Sequence, residues 1–168
     1  HGRSSYIPRE RRQGWDYWKV LECTHDYNNS AYYADADEKL HWDGYDAIAQ
    51  TRDAQQYISD HARAEKPFVL FLSWGPPHEP YQTAPEPYRQ RFHPENLVLR
   101  PNVPPEAQEK ARAELAGYYA HMAALDDCLA ALDETLTSAG IAADTIFVFP
   151  SDHGDMLGCP GRWKKQWP

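Results

Sequence analysis

Thr145-Ile146-Phe147-Val148-Phe149-Pro150, running on into Ser151-Asp152-His153-Gly154-Asp155, is the stretch on which the reading of this chain turns. Asp144 opens an apolar run with no polar face, the pattern of a strand buried on both sides in a parallel sheet. A second such run, Phe68-Val69-Leu70-Phe71-Leu72-Ser73-Trp74, follows the break at Lys66-Pro67 and ends at Gly75-Pro76-Pro77. Ahead of it, Ile48, Thr51, Gln55, Ile58 and Ala62 fall near one face of a helix that Asp43 or Asp46 can cap and that ends near Ala64-Glu65. Between the two runs, Leu115, Tyr118, Met122, Leu125, Leu129, Leu132 and Leu136 step by three and four along a long helix over 106–138. Ser138-Ala139-Gly140 stops that helix. Strand, helix, strand predicts the α/β class: part of a mostly parallel sheet flanked by helices. A short strand is expected within Gly14-Trp15-Asp16-Tyr17-Trp18-Lys19-Val20-Leu21, and structured loops over 24–45 and 79–105.

Composition narrows the function classes. At 168 residues the chain is one domain's worth. A net charge of −8 argues against non-specific nucleic-acid binding. No apolar run approaches the ~18–20 residues of a membrane helix. Three cysteines without a CxxC support neither a disulfide scaffold nor a zinc ribbon. Fourteen Pro, six Trp and eleven Tyr suggest long loops with aromatic walls. Neither His1-Gly2-Arg3 nor Trp167-Pro168 reads as a natural boundary, so 1–168 is expected to be an internal segment, truncated at both ends.

Ligands of open α/β sheets bind beyond the carboxyl ends of the strands. That rule singles out Trp74-Gly75-Pro76-Pro77-His78-Glu79-Pro80 and Asp152-His153-Gly154-Asp155, two loops that share a crevice if the strands are parallel neighbours. Asp152 and His153 put a carboxylate beside an imidazole. They can form a metal corner, or Asp152 can cap a turn while His153 packs. The carboxylate suits Ca²⁺ or Mg²⁺, and the imidazole leans to Zn²⁺ or Mn²⁺. His78 can donate to an anionic oxygen or serve as a general acid, or be ordinary loop surface. Lys164 and Lys165 can pair with a bound anion or form a solvated basic end. Cys23 and Cys128 read as structural.

Taken in order, these segments resemble the sulfatases, the sulfuric ester hydrolases of the alkaline-phosphatase-like superfamily. The resemblance rests on 14–18, on Tyr45-Asp46-Ala47 to Ala54, on 66–80, on Tyr118-Tyr119-Ala120 to Asp126-Asp127, on Thr145 to Gly158, and on Gly161-Arg162-Trp163-Lys164-Lys165. The strand followed by Ser-Asp-His-Gly-Asp-Met-Leu-Gly is the most specific piece. The resemblance implies a partial N-terminal catalytic domain over 1–168 and hydrolysis of a sulfate ester. It implies that Asp152 and His153 ligate a divalent cation, usually Ca²⁺. It implies that His78 contacts the ester and Lys165 holds the sulfate oxygens, with Lys164 as second choice. The nucleophile it implies is a formylglycine upstream of His1. Its precursor motif, Cys/Ser-x-Pro-x-Arg, is not in this sequence, and Cys159-Pro160-Gly161-Arg162 is one residue short of it and on the wrong side of the metal pair. The substrate class is a sulfated small molecule or glycan, with specificity in loops 24–45 and 79–105, and the implied setting is periplasmic or extracellular. A phosphodiesterase or phosphonate monoester hydrolase of the same superfamily, and a catalytically inactive fragment, are the alternatives.

Overall fold

The computed structural model describes residues 5–165. Two helices form its spine. Helix α1 (Asp46–His61) packs along helix α3 (Gln108–Ala139), with the short β1 (Ala31–Tyr32), β2 (Leu40–His41) and α2 (Glu86–Arg89) arranged around them. β1 and β2 pair antiparallel, and Val20 adds one bridge to Tyr33. That bridge is the regular pairing formed by the stretch expected as a strand over 14–21.

Both long helices arise where the apolar period predicts them. The C-terminal half of α3 buries Leu132 and Leu136 against Ala54 and Ile58 of α1. Gln55 crosses the seam, its Nε2 donating to Ala131 O at 3.2 Å and to Thr135 Oγ1 at 2.8 Å. Gly140 ends α3 in the left-handed region (φ +76°), and its N–H closes on Leu136 and Thr137 carbonyls. The N-terminal half behaves differently. There the buried residues are Ala111, Ala116, Ala120 and His121, whereas Met122 of the expected stripe is 46% exposed. The cause is a close backbone approach: a Cβ on Gly117 would sit 2.4 Å from the Tyr81 carbonyl oxygen. Small residues admit that approach, and a pattern of large apolar residues does not mark it.

The start of α1 also departs from expectation. Tyr45 occupies the N-cap and no side chain caps it. Asp46, in the first turn, is turned inward and 2% exposed, with its backbone N–H on Tyr27 O at 2.8 Å. Burial pushes its carboxyl up to about 6, against hydrogen bonds from Ser30 and Ala47 that favour the ionised form. Its Oδ1 has no partner.

The two apolar runs are extended but pair in no ladder among the described residues. Phe68, Leu70 and Leu72 face the α1–α3 core, and Trp74 joins them. The alternate residues Val69 and Phe71 are 78% and 76% exposed, and Ile146 is 92% exposed. Period-2 alternation thus holds in 68–74, with one face packed on helices and the other open, whereas 146–149, expected to be buried, are exposed on both faces, Phe147 at 50% and Phe149 at 60%. Trp74 and Phe149 meet with ring centroids 6.3 Å apart, which places the two runs side by side.

Candidate functional site

The loops at the ends of these runs converge. Loop 75–83 is held from below by Tyr27, which is fully buried and donates its hydroxyl to His78 O (3.0 Å) and Glu79 O (3.2 Å). Gly75 is required at that contact, because a Cβ there would lie 2.8 Å from Tyr27 Cε1. Deeper still, His121 is fully buried, accepts the Tyr45 hydroxyl at Nδ1 (2.6 Å), and donates Nε2–H to Pro80 O (3.3 Å). Burial lowers its pKa to about 4, so it stands neutral beneath the loop. On this base His78 is fixed with Nδ1–H donating to Glu79 O at 3.0 Å, which leaves Nε2 for another partner.

The second loop carries Asp152 and His153. Asp152 Oδ1 accepts the His153 backbone N–H at 3.0 Å. The His153 ring donates Nδ1–H to Gly154 O (2.9 Å), and Nε2 accepts from the Lys165 ammonium (2.7 Å). Its ring stands edge-on to His78, centroids 6.0 Å apart. His78, His153 and Lys165 are therefore brought together. Asp152 lies beside His153, its carboxylate 87% exposed and Oδ2 3.5 Å from His153 Nε2. Lys164 points elsewhere: its Nζ pairs with Glu79 Oε1 at 2.7 Å, a bond that raises its pKa. The left-handed backbone at Lys164 (φ +65°) sends these consecutive lysines to different partners.

Asp155 builds the turn that delivers them. Its Oδ1 accepts Leu157 N–H (2.9 Å) and Lys164 N–H (3.2 Å), and its Oδ2 accepts the Tyr81 hydroxyl (2.5 Å). Burial first, and this bond second, hold the Tyr81 phenol well above its usual range. The far side of the turn is seated by Cys159, packed with Val103 and Ala111, and by Trp163 under Lys110, whose Nζ is 4.1 Å from the ring. Cys159 is 5% exposed in that cluster, a core position and not that of a nucleophile. His25, in a loop with no helical period, lies parallel on His78 with centroids 4.5 Å apart. The sequence singles out the loop of Asp155 without a role for that residue, and it gives none to Tyr81 or His25. Only Asp155 carried a local signal, its place in the Asp-His-Gly-Asp run.

The donor set fits one corner of a cation site. Asp152 offers an open carboxylate and His153 an imidazole nitrogen now taken by Lys165. Among the described residues no group of three or more His, Cys, Asp or Glu side chains is placed to hold a metal ion.

Comparison with known proteins agrees with this architecture. The sulfatase family profile matches residues 6–168, nearly the whole sequence, and the chain belongs to the sulfatase family. An ulvan-active sulfatase of Formosa agariphila is 45% identical over 159 residues, 94% of this chain and 31% of that protein. An endo-4-O-sulfatase of Bacteroides thetaiotaomicron is 26% identical over 91% of this chain and 32% of its own length. Among solved structures, yidJ of Bacteroides fragilis, described as a sulfatase, superimposes with a TM-score of 0.86 at 26% identity, over 93% of this chain and 36% of that one. The fold is thus the alkaline-phosphatase-like α/β fold of these proteins in part. The chain spans about a third of the length of the curated relatives it matches.

Proposed function

We propose that this chain forms part of the catalytic domain of a sulfate-ester hydrolase and supplies its anion grip. The observation that carries this reading is the meeting of His78, His153 and Lys165 at the ends of the two apolar runs. Lys165 is the group that pairs with sulfate oxygens, exchanging the His153 nitrogen for the anion, and Nε2 of His78 reaches the ester. Lys164 stays with Glu79 and braces the loop. Asp152 and His153 would hold two positions of a divalent cation, Ca²⁺ by the hardness of the carboxylate oxygen. When bound, such a cation adds positive charge beside the transferring group. The nucleophile is assigned to a formylglycine outside this sequence. Cys159 is enclosed and does not take that role. The substrate class we infer is a sulfated glycan. Support comes from the ulvan-active relative and from the stacked pair Tyr32 and Trp42 (4.2 Å between centroids) in loop 24–45.

The test is sulfate release from sulfated oligosaccharides by the full-length protein, compared with release of the alcohol from an aryl phosphonate ester. The expected result is sulfate release that falls at least ~100-fold in Lys165→Ala and only a fewfold in Lys164→Ala. Faster turnover of the phosphonate ester would move the assignment to the phosphonate monoester hydrolases. Equal loss in both lysine variants would refute the roles given to them.

A further inference from the structure

We propose that His25 is a specificity-determining residue of this site, receiving a second anionic group that the substrate carries next to its sulfate ester. This rests on the reading of His78 and Lys165 as the ester grip. The first observation is placement. His25 is exposed, yet its ring lies parallel to His78, centroids 4.5 Å apart and planes 4° from coplanar. The placement is imposed by the fold. Tyr27, two residues on, is the fully buried phenol that joins this segment to the His78 and Glu79 carbonyls, and its ring sits edge-on to His25 at 6.5 Å. The loop that bears His25 is thereby fastened to the loop that bears His78, and a ligand on one ring touches the edge of the other.

The second observation is the set of groups. At this point the imidazoles of His25, His78 and His153 gather beside the ammonium of Lys165. Two of the acids around them are committed. Glu79 is paired with Lys164, and Asp155 accepts three hydrogen bonds. Asp152 stands on the His153 side, and Glu22 and Asp26 flank His25 along its own exposed loop. One sulfate ester carries a single charge, and Lys165 with His78 is enough to hold it. A stacked second imidazole extends the basic surface by one ring's width, the spacing between an ester and a neighbouring substituent on one sugar. A carboxylate or a second sulfate shares the chemistry required: planar or tetrahedral anionic oxygens that accept from an imidazole N–H.

The experiment uses the full-length protein and three substrates: a neutral monosulfated sugar, its uronate counterpart, and a disulfated sugar. His25→Ala is expected to raise KM about tenfold for at least one of the two dianionic substrates, with kcat within about twofold, and to leave the neutral one unchanged. Which dianion responds identifies the group as carboxylate or sulfate. His25→Lys should restore the preference, and His25→Glu should invert it. A fall in kcat shared by all three substrates would show that His25 only buttresses His78 and would overturn the proposal. His25→Ala indistinguishable from the unsubstituted protein on all three would overturn it as well. If the unsubstituted protein releases sulfate from none of them, the sulfatase reading fails first and this inference falls with it.

Discussion

Asp46→Asn should change the pH dependence of stability more than stability itself, because two buried groups beneath the site titrate in opposition. Asp46 has a pKa of about 6 against an ordinary 3.8, raised chiefly by burial. Its contribution is complete below 3.8, where both states hold the proton, and is lost as pH rises through about 6. At about 1.4 kcal/mol per pH unit, that gap is worth ~3 kcal/mol. His121 runs the other way, at about 4 against an ordinary 6.5, again through burial. Its contribution is complete above 6.5 and is lost as pH falls through about 4, also ~3 kcal/mol. Between pH 7 and pH 4 the two slopes nearly cancel. Asparagine keeps the shape and cannot ionise, so Asp46→Asn unmasks His121. The variant should match or exceed the native protein at pH 7 and then lose ~3 kcal/mol on acidification to pH 4. Urea titrations at half-unit pH steps, on native and variant protein, give the comparison. If the variant and native curves run parallel across that range, the buried pair is not opposed as described.

Three further outcomes follow from the same geometry. Gly117→Ala gains about 1 kcal/mol of helix propensity, but its Cβ would meet the Tyr81 carbonyl at 2.4 Å. Overpacking of about 1–3 kcal/mol makes the net effect a loss, read as a lower Tm. Tyr81→Phe removes the hydroxyl from Asp155 and should destabilise by about 1–2 kcal/mol. Sulfate release should drop in the same variant, because the turn presenting Lys165 loosens; a drop in Tm with unchanged kcat would separate the two. Phe71→Lys with Val148→Lys should reduce light scattering by the 168-residue chain, since both side chains stand outward at 76% and 74% exposure.

The helices were legible because their cores obey one rule: large apolar residues at three- and four-residue steps, as in Ile58, Leu132 and Leu136. The same rule failed at the front of α3, where packing density is set by glycine and alanine against a loop backbone. The runs 68–74 and 145–150 were read as strands from their apolar content. The alternation is there in 68–74 alone, while 146–149 are exposed on both faces, and a ladder depends on neighbours that local sequence does not name. At the site, Asp152, His153 and His78 could be found because they follow apolar runs, and fold topology places loops at strand ends in one crevice. Residue types alone leave Lys164 and Lys165 equivalent, and only the resemblance puts Lys165 first. Their different partners depend on one left-handed residue, and φ is not written in a dipeptide of identical side chains. His25 was invisible for another reason: its partner is 53 residues away, and the tie between them is a buried tyrosine that looks like any other aromatic in the loop.

The contact between Trp74 and Phe149 joins residues 75 apart in sequence. Closing a loop of that length is slow relative to forming α1 or α3, whose contacts are local. During synthesis the run 68–74 therefore waits, apolar on its outer face, while the whole of α3 is made and wound. Until then Phe68, Leu70 and Leu72 lack the helix they pack on, which leaves the segment open to aggregation. The yield of folded protein in a cell should accordingly respond more to translation speed through residues 75–145 than to the final stability of the fold.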